Sequence, residues 1–140
     1  MPEDRQDEGL IMDFEAWENV SFGYHTAPEY SNGIFIDRAA IRADAEGKIQ
    51  RVDVRPPNPD LAARNFSGGN QQKTSVAKAI ALEPKLLILD EPTRGVDVGS
   101  KAEIHSIISG LAKDGLTILM ISSEMPELIG MCDRIYIMKR

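Results

Sequence analysis

The sequence predicts an α/β fold, a parallel sheet joined by crossover helices, with a helical subdomain ahead of it. Three observations carry this. Short apolar runs at Leu86-Leu87-Ile88-Leu89, Thr117 through Ile121 and Arg134 through Met138 read as strands. Helical periodicity separates the strands, the usual sign of parallel strands with crossovers. Finally, Arg55-Pro56-Pro57-Asn58-Pro59-Asp60 forbids a regular helix or central strand and divides the chain into two differently patterned parts.

Before the prolines the pattern is helical and loop-like. Asp37 is a fair N-cap, and Ile41, Ala45 and Ile49 recur at four-residue spacing, giving one apolar stripe on a charged helix. The segment between Gly23 and Gly33, with Tyr24, His25, Pro28 and Tyr30, reads as a loop, and His25 has no catalytic companion in it. After the prolines, Ser67 precedes a helix through Val76, Ala77 and Ile80. A further helix starts near Gly99, carries Ile104, Ile107, Ile108 and Leu111 on one face, and closes at Gly115. His105 lies off that stripe and is expected to face solvent.

Composition narrows the function. A chain of 140 residues with 42% hydrophobic content suffices for one domain of modest core. A net charge of -6 and a pI near 4.9 oppose a nucleic-acid partner held through phosphates. No apolar run approaches the roughly 18 to 20 residues that span a bilayer. The start, Met1-Pro2-Glu3-Asp4-Arg5, lacks the apolar core of a secretion signal. Cys132 is the single cysteine, expected as a buried thiol without metal partners.

Two motifs carry chemistry. In Phe66-Ser67-Gly68-Gly69-Asn70-Gln71-Gln72-Lys73 the glycines would let a phosphate reach exposed amides at a helix amino end. In Leu86-Leu87-Ile88-Leu89-Asp90-Glu91 an apolar strand delivers two carboxylates at its carboxyl end, the edge where open α/β sheets bind ligands. Asp90 suits Mg²⁺, through water. Glu91 suits a general base taking a proton from attacking water, worth roughly 10² to 10⁴ in rate. The chain contains no Gly-x-x-x-x-Gly-Lys-[Ser/Thr] phosphate loop. At the lone Gly47-Lys48 pair, Arg42 stands in place of the first glycine and Ile49 in place of the hydroxyl.

Phe66 to Lys73, Asp90 to Gly99 and Ser122 to Asp133 resemble the second ATP-binding cassette of the tandem ATPase subunits of bacterial sugar importers, of the ribose and galactose type. Residues Pro2 to Pro57 are similar to the matching region of nucleoside importers. The resemblance implies a partial P-loop NTPase: residues 1–65 as helical subdomain, residues 66–140 as the signature helix, Walker B strand and remainder of the core. The phosphate-loop strand, its helix and the Q-loop are expected upstream of Met1.

It also implies ATP and Mg²⁺ as cofactors, with two cassettes facing head to tail. Ser67, Gly68, Gly69, Asn70 and Gln71 would close over ATP held by the partner cassette, and Asp97 would lie at their interface. Asp90 and Glu91 would serve the other site. Ser123 stands where most cassettes have a switch histidine, and a charged hydrogen bond to phosphate is worth roughly 1.5 to 3 kcal/mol. The Glu91 site is therefore expected to be slow or structural, with hydrolysis carried mainly by the other cassette. Implied partners are a second cassette, membrane permease subunits and, indirectly, a periplasmic or lipid-anchored substrate-binding protein; no nucleic acid is implied. The implied location is peripheral, on the cytoplasmic face of the bacterial inner membrane.

Two alternatives remain: a non-catalytic, stand-alone or vestigial fragment that only dimerises, and a cassette ATPase of translation or chromosome maintenance. Acidic charge speaks against the second. An unpaired sheet edge and uncovered apolar surface are expected wherever the phosphate-loop strand is missing.

Overall fold

The structure is a computed structural model describing residues 1–32 and 34–138. The Gly33 end of the expected loop lies outside the described residues. After a π-helical turn at Arg5–Gly9 come α1 (Ala16–Ser21), α2 (Arg38–Arg51), a 3-10 turn at Ala63–Asn65, α3 (Gly68–Ile80), β1 (Leu86–Asp90), α4 (Val98–Lys113), β2 (Thr117–Ile121) and α5 (Met125–Met131).

Helix α1 starts in a reciprocal cap: the Glu15 side chain accepts from the N3 amide, and Glu15 N–H donates to Glu18 Oε2 at 3.0 Å. Asn19, fully buried on α1, accepts from Ile11 N–H at 2.7 Å and donates to the carbonyls of Ile11 and Phe14, which folds the preceding loop onto the helix. Helix α2 begins where expected, with Asp37 accepting from Ala40 N–H at 3.0 Å. Its buried residues are Ile41, Ala45 and Ile49, the predicted stripe, and they pack on α1 and α3.

Helix α3 is the hub. Gly69, Gln71 through Ala77 and Ile80 are buried, so it is covered nearly all round, and it contacts α1, α2, α4 and the π-helical turn. Lys73 is 3% exposed at its side chain. Its Nζ donates to Asp53 O at 2.8 Å and pairs with Glu103 at 2.7 Å, which ties α3 to the turn after α2 and to α4.

Strands β1 and β2 pair in parallel, Leu86 opposite Thr117 through Asp90 opposite Ile121, with α4 as the crossover. Leu87 and Leu89 point into the core, while Leu86, Ile88, Leu119 and Ile121 are about half exposed on the opposite face. One continuous core of buried side chains runs from Ala16 to Leu111. No helix among the described residues is long and apolar enough to cross a membrane.

Three expectations are corrected. Arg134 through Met138 is not a strand: the sheet has two strands among the described residues, and Tyr136, Ile137 and Met138 are exposed. Strand propensity needs a partner's backbone to be realised, and none pairs with this segment among the described residues. His105 is half-buried rather than free in solvent, and is bonded to Glu127. Cys132 is half-buried rather than buried; partial burial, then the nearby carboxylates of Asp133 and Glu127, push its thiol up from the ordinary value.

The two sheet faces differ enough to be tested. Leu89→Ala should cost about 2 to 5 kcal/mol and Ile88→Ala under about 1 kcal/mol by urea denaturation; equal losses would contradict the assignment of faces.

Candidate functional site

Ser67 ends an extended loop and caps α3, its hydroxyl accepting from Asn70 N–H at 3.4 Å and from Asn70 Nδ2 at 2.9 Å. The residue itself is exposed. Asn70 Oδ1 in turn accepts from Arg55 N–H at 2.7 Å, fastening the proline segment to the signature turn.

The glycines are packing positions. A Cβ on Gly69 would sit 2.6 Å from Ser100 Cβ and closer still to its hydroxyl, so α3 and α4 touch amino end to amino end through this residue. A Cβ on Gly68 would meet the Arg5 guanidinium at 2.9 Å. Gln71 is turned inward: 4% exposed, it donates to the Ala63 and Phe66 carbonyls and accepts from Gln6 at 3.1 Å and Arg5 at 3.4 Å. Its side chain shapes the loop from behind.

Arg5 was not legible in the sequence, because nothing local marks it. Its guanidinium donates to Arg94 O at 3.1 Å and Gly95 O at 3.4 Å, joining the turn after β1 to α3. Gly95 takes φ +68 in that turn, a conformation that glycine adopts without strain. Asp97 caps α4, accepting from Ser100 N–H at 3.0 Å and Ser100 Oγ at 2.7 Å; those two bonds hold its carboxyl below the usual aspartate value. The Asp-x-x-Ser spacing is the cue that could have identified Ser100.

At the carboxyl end of β1, the Asp90 side chain makes no hydrogen bond or ion pair among the described residues, and the charge facing it is the Met1 ammonium. Glu91 is different. Its backbone sits at φ 45, in the left-handed region that a non-glycine residue enters only when neighbours hold it. Glu91 N–H donates to Ile121 O at 2.9 Å, and its Oε1 accepts from Ser123 N–H at 2.7 Å. The loop after β2 thus meets the second carboxylate through a backbone amide, with the exposed Ser123 side chain uninvolved. Gln72 Nε2 donates to Pro92 O at 2.7 Å, which locks the turn that follows Glu91 against α3.

The site therefore consists of a capped helix amino end and a pair of strand-end carboxylates on one braced frame. A sequence model of the family described as ABC transporter matches residues 5–94. This chain belongs to the ABC transporter family. It is 44% identical over 138 residues to the "Ribose import ATP-binding protein RbsA" of Yersinia pestis bv. Antiqua (strain Antiqua), covering 99% of this chain and 27% of that protein. It is likewise 44% identical over 138 residues to the protein of the same name from Streptococcus agalactiae serotype Ia, covering 99% of this chain and 28% of that one. The chain thus spans about a quarter of the length of the curated relatives it matches. Its fold resembles that of the ATP-binding cassette MJ0796, solved as a dimer in a post-hydrolysis state with ADP and Pi, with a TM-score of 0.68 and 23% identity over 87% of this chain and 51% of that one.

The helix contact gives a direct prediction. Gly69→Ala should destabilise the chain by about 1 to 3 kcal/mol, the range for overpacking, and Ser100→Gly should recover most of that loss in the double variant. Thermal unfolding of the four-member cycle measures it; additive effects would show that the two helices do not meet here.

Proposed function

We propose that this chain is part of the ATP-binding, ATP-hydrolysing subunit of an importer for a sugar or nucleoside, its signature helix completing the ATP site of a partner cassette in trans. The observation that carries this reading is the exposed, capped start of α3 at Ser67, braced from behind by Gln71 and Arg5. Amide groups at a helix amino end attract phosphate through their unpaired N–H bonds and the helix dipole. Ser67, Gly68 and Asn70 would contact the terminal phosphate, and Asp97 would sit at the junction of the two cassettes. The names of the relatives support the substrate class.

Asp90 and Glu91 serve the second site of such a pair, for which a phosphate loop must come from elsewhere, since these 140 residues contain none. Asp90 fits Mg²⁺: beyond facing the Met1 ammonium, its carboxylate makes no hydrogen bond or ion pair among the described residues, and this ion takes one or two carboxylates together with water and substrate phosphates. Bound there, the ion would neutralise charge on the phosphates. Glu91 would receive the proton of the attacking water while Ser123 N–H steadies its carboxylate. Because Ser123 supplies only that amide and no imidazole, this site is the slower of the two.

Residues 1–65 serve as the helical subdomain that meets the membrane subunits. Their support is a groove lined by Phe14, Trp17, Phe22, Ile36 and Arg38, edged by the exposed Ile34 and Phe35. Apolar surface of this kind marks an interaction site. Docking there would hold the chain peripherally at the cytoplasmic face of the membrane, with the substrate-binding protein reached only through the permease.

The second reading is a non-catalytic module that acts only by dimerising. Phosphate release separates the two. Alone with MgATP the chain should release none above background. With an intact ATP-binding cassette it should stimulate release, and Ser67→Arg or Gly68→Asp should cut the stimulated rate by about 10² to 10³, the effect of losing a transition-state donor. Stimulation indifferent to Ser67 would refute the trans role, and association without stimulation would favour the module.

A further inference from the structure

Glu127 belongs to neither motif, yet it is the one buried acidic residue among the described residues, with its side chain 4% exposed. A carboxylate in such a place is costly unless several donors hold it. Glu127 Oε1 accepts from Thr93 Oγ1 at 2.7 Å and from His105 Nε2 at 2.7 Å. Against the cost of burial, the Ser122 hydroxyl, His105 and Thr93 together hold the carboxyl below the ordinary glutamate value. Its Oε2 has no partner in hydrogen-bond geometry.

The two hydrogen-bond donors come from separate segments, and Glu127 N–H itself donates to Glu124 O at 3.0 Å, which joins it to the loop after β2. Thr93 is 2% exposed and stands two residues after Glu91; His105 is on α4; Ser122 opens the loop after β2. The same loop is tied a second time to α4, by Lys101 and Glu124 at 2.5 Å, and folds on itself through Glu124 N–H and Ser122 Oγ at 3.0 Å. Its middle residue, Ser123, presents the amide that holds Glu91 Oε1 at 2.7 Å. Thus the position of the Glu91 carboxylate depends on a loop that has no regular structure of its own, and the buried Glu127 is where that loop, the Thr93 turn and α4 converge.

We infer that Glu127 is a positioning residue for Glu91, fastening the Ser122-Ser123-Glu124 loop to Thr93 and His105 so that Ser123 N–H meets the Glu91 carboxylate. This rests on the reading of Glu91 as the base only for its catalytic meaning; the geometry is tested without nucleotide.

The experiment is amide hydrogen exchange by NMR on the intact chain, together with the ¹³C resonance of the Glu91 carboxyl, for Glu127→Ala, Glu127→Gln and Thr93→Val. In Glu127→Ala the Ser123 amide should exchange roughly tenfold faster, the factor that accompanies loss of one hydrogen bond to a charged group, and the Glu91 carboxyl resonance should move. Amides in the middle of α3 should keep their protection. Glu127→Gln, which retains the shape and an acceptor oxygen, should restore Ser123 protection to within about threefold of the parent. Thr93→Val deletes one donor at constant shape, should move Ser123 in the same direction, and decides the matter if Glu127→Ala does not fold. Unchanged Ser123 exchange, or an equal rise at every amide, would overturn the inference. Either result is independent of whether Ser67 stimulates a partner cassette, so failure of the proposed function and failure of the positioning role are separately visible.

Discussion

The amino ends of α3 and α4 meet at Gly69 and Ser100 with no side chain of Gly69 to part them, and the site's geometry follows from that contact. It brings the Ser67 turn within reach of the Asp97 cap, so the two groups proposed to face a partner cassette lie on one surface. Interiors this closely packed transmit a displacement instead of absorbing it. A shift of α4 would therefore be felt at the signature turn, and also at Glu103, which reaches back to the buried Lys73.

Around that contact the protein uses polar side chains as struts. Gln71, Gln72, Lys73 and Thr74 occupy consecutive positions on α3, all buried, and each finds a partner on another segment or on the preceding turn. Gln72 reaches the turn after Glu91, Gln71 reaches Arg5, and Lys73 reaches α4 and the turn after α2. Replacing water by such fixed partners adds little net stability per bond, but an unsatisfied group would be costly. The buried polar run therefore selects one relative placement of α3 and the β1 turn.

Much of this was legible in the chain. The Asp37 cap, the stripe of Ile41, Ala45 and Ile49, and the apolar run ending in Asp90 and Glu91 are local patterns, and local patterns survive into the fold. The buried face of Gln71 to Thr74 was not legible, since by composition it reads as the wet side of an amphipathic helix. His105 was misplaced for a related reason: the apolar stripe of α4 locates its core face, whereas Glu127 approaches from a helix twenty residues further on. Arg134 to Met138 shows the limit for strands, whose pairing is a property of neighbours. The family motifs could be read because spacing encodes them, while the contacts of Arg5 and Glu127 could not, because they form only across long sequence separations.

The account's central claim is that the start of α3 is one wall of a nucleotide site whose other wall lies on a second cassette. The most direct measurement is sedimentation of this chain mixed with an intact ATP-binding cassette, in MgATP and in MgADP. The terminal phosphate is the group that would face the α3 amides, so a complex is predicted with ATP and not with ADP. Tight binding of ATP by this chain alone, with no ATP-dependent association, would contradict the account.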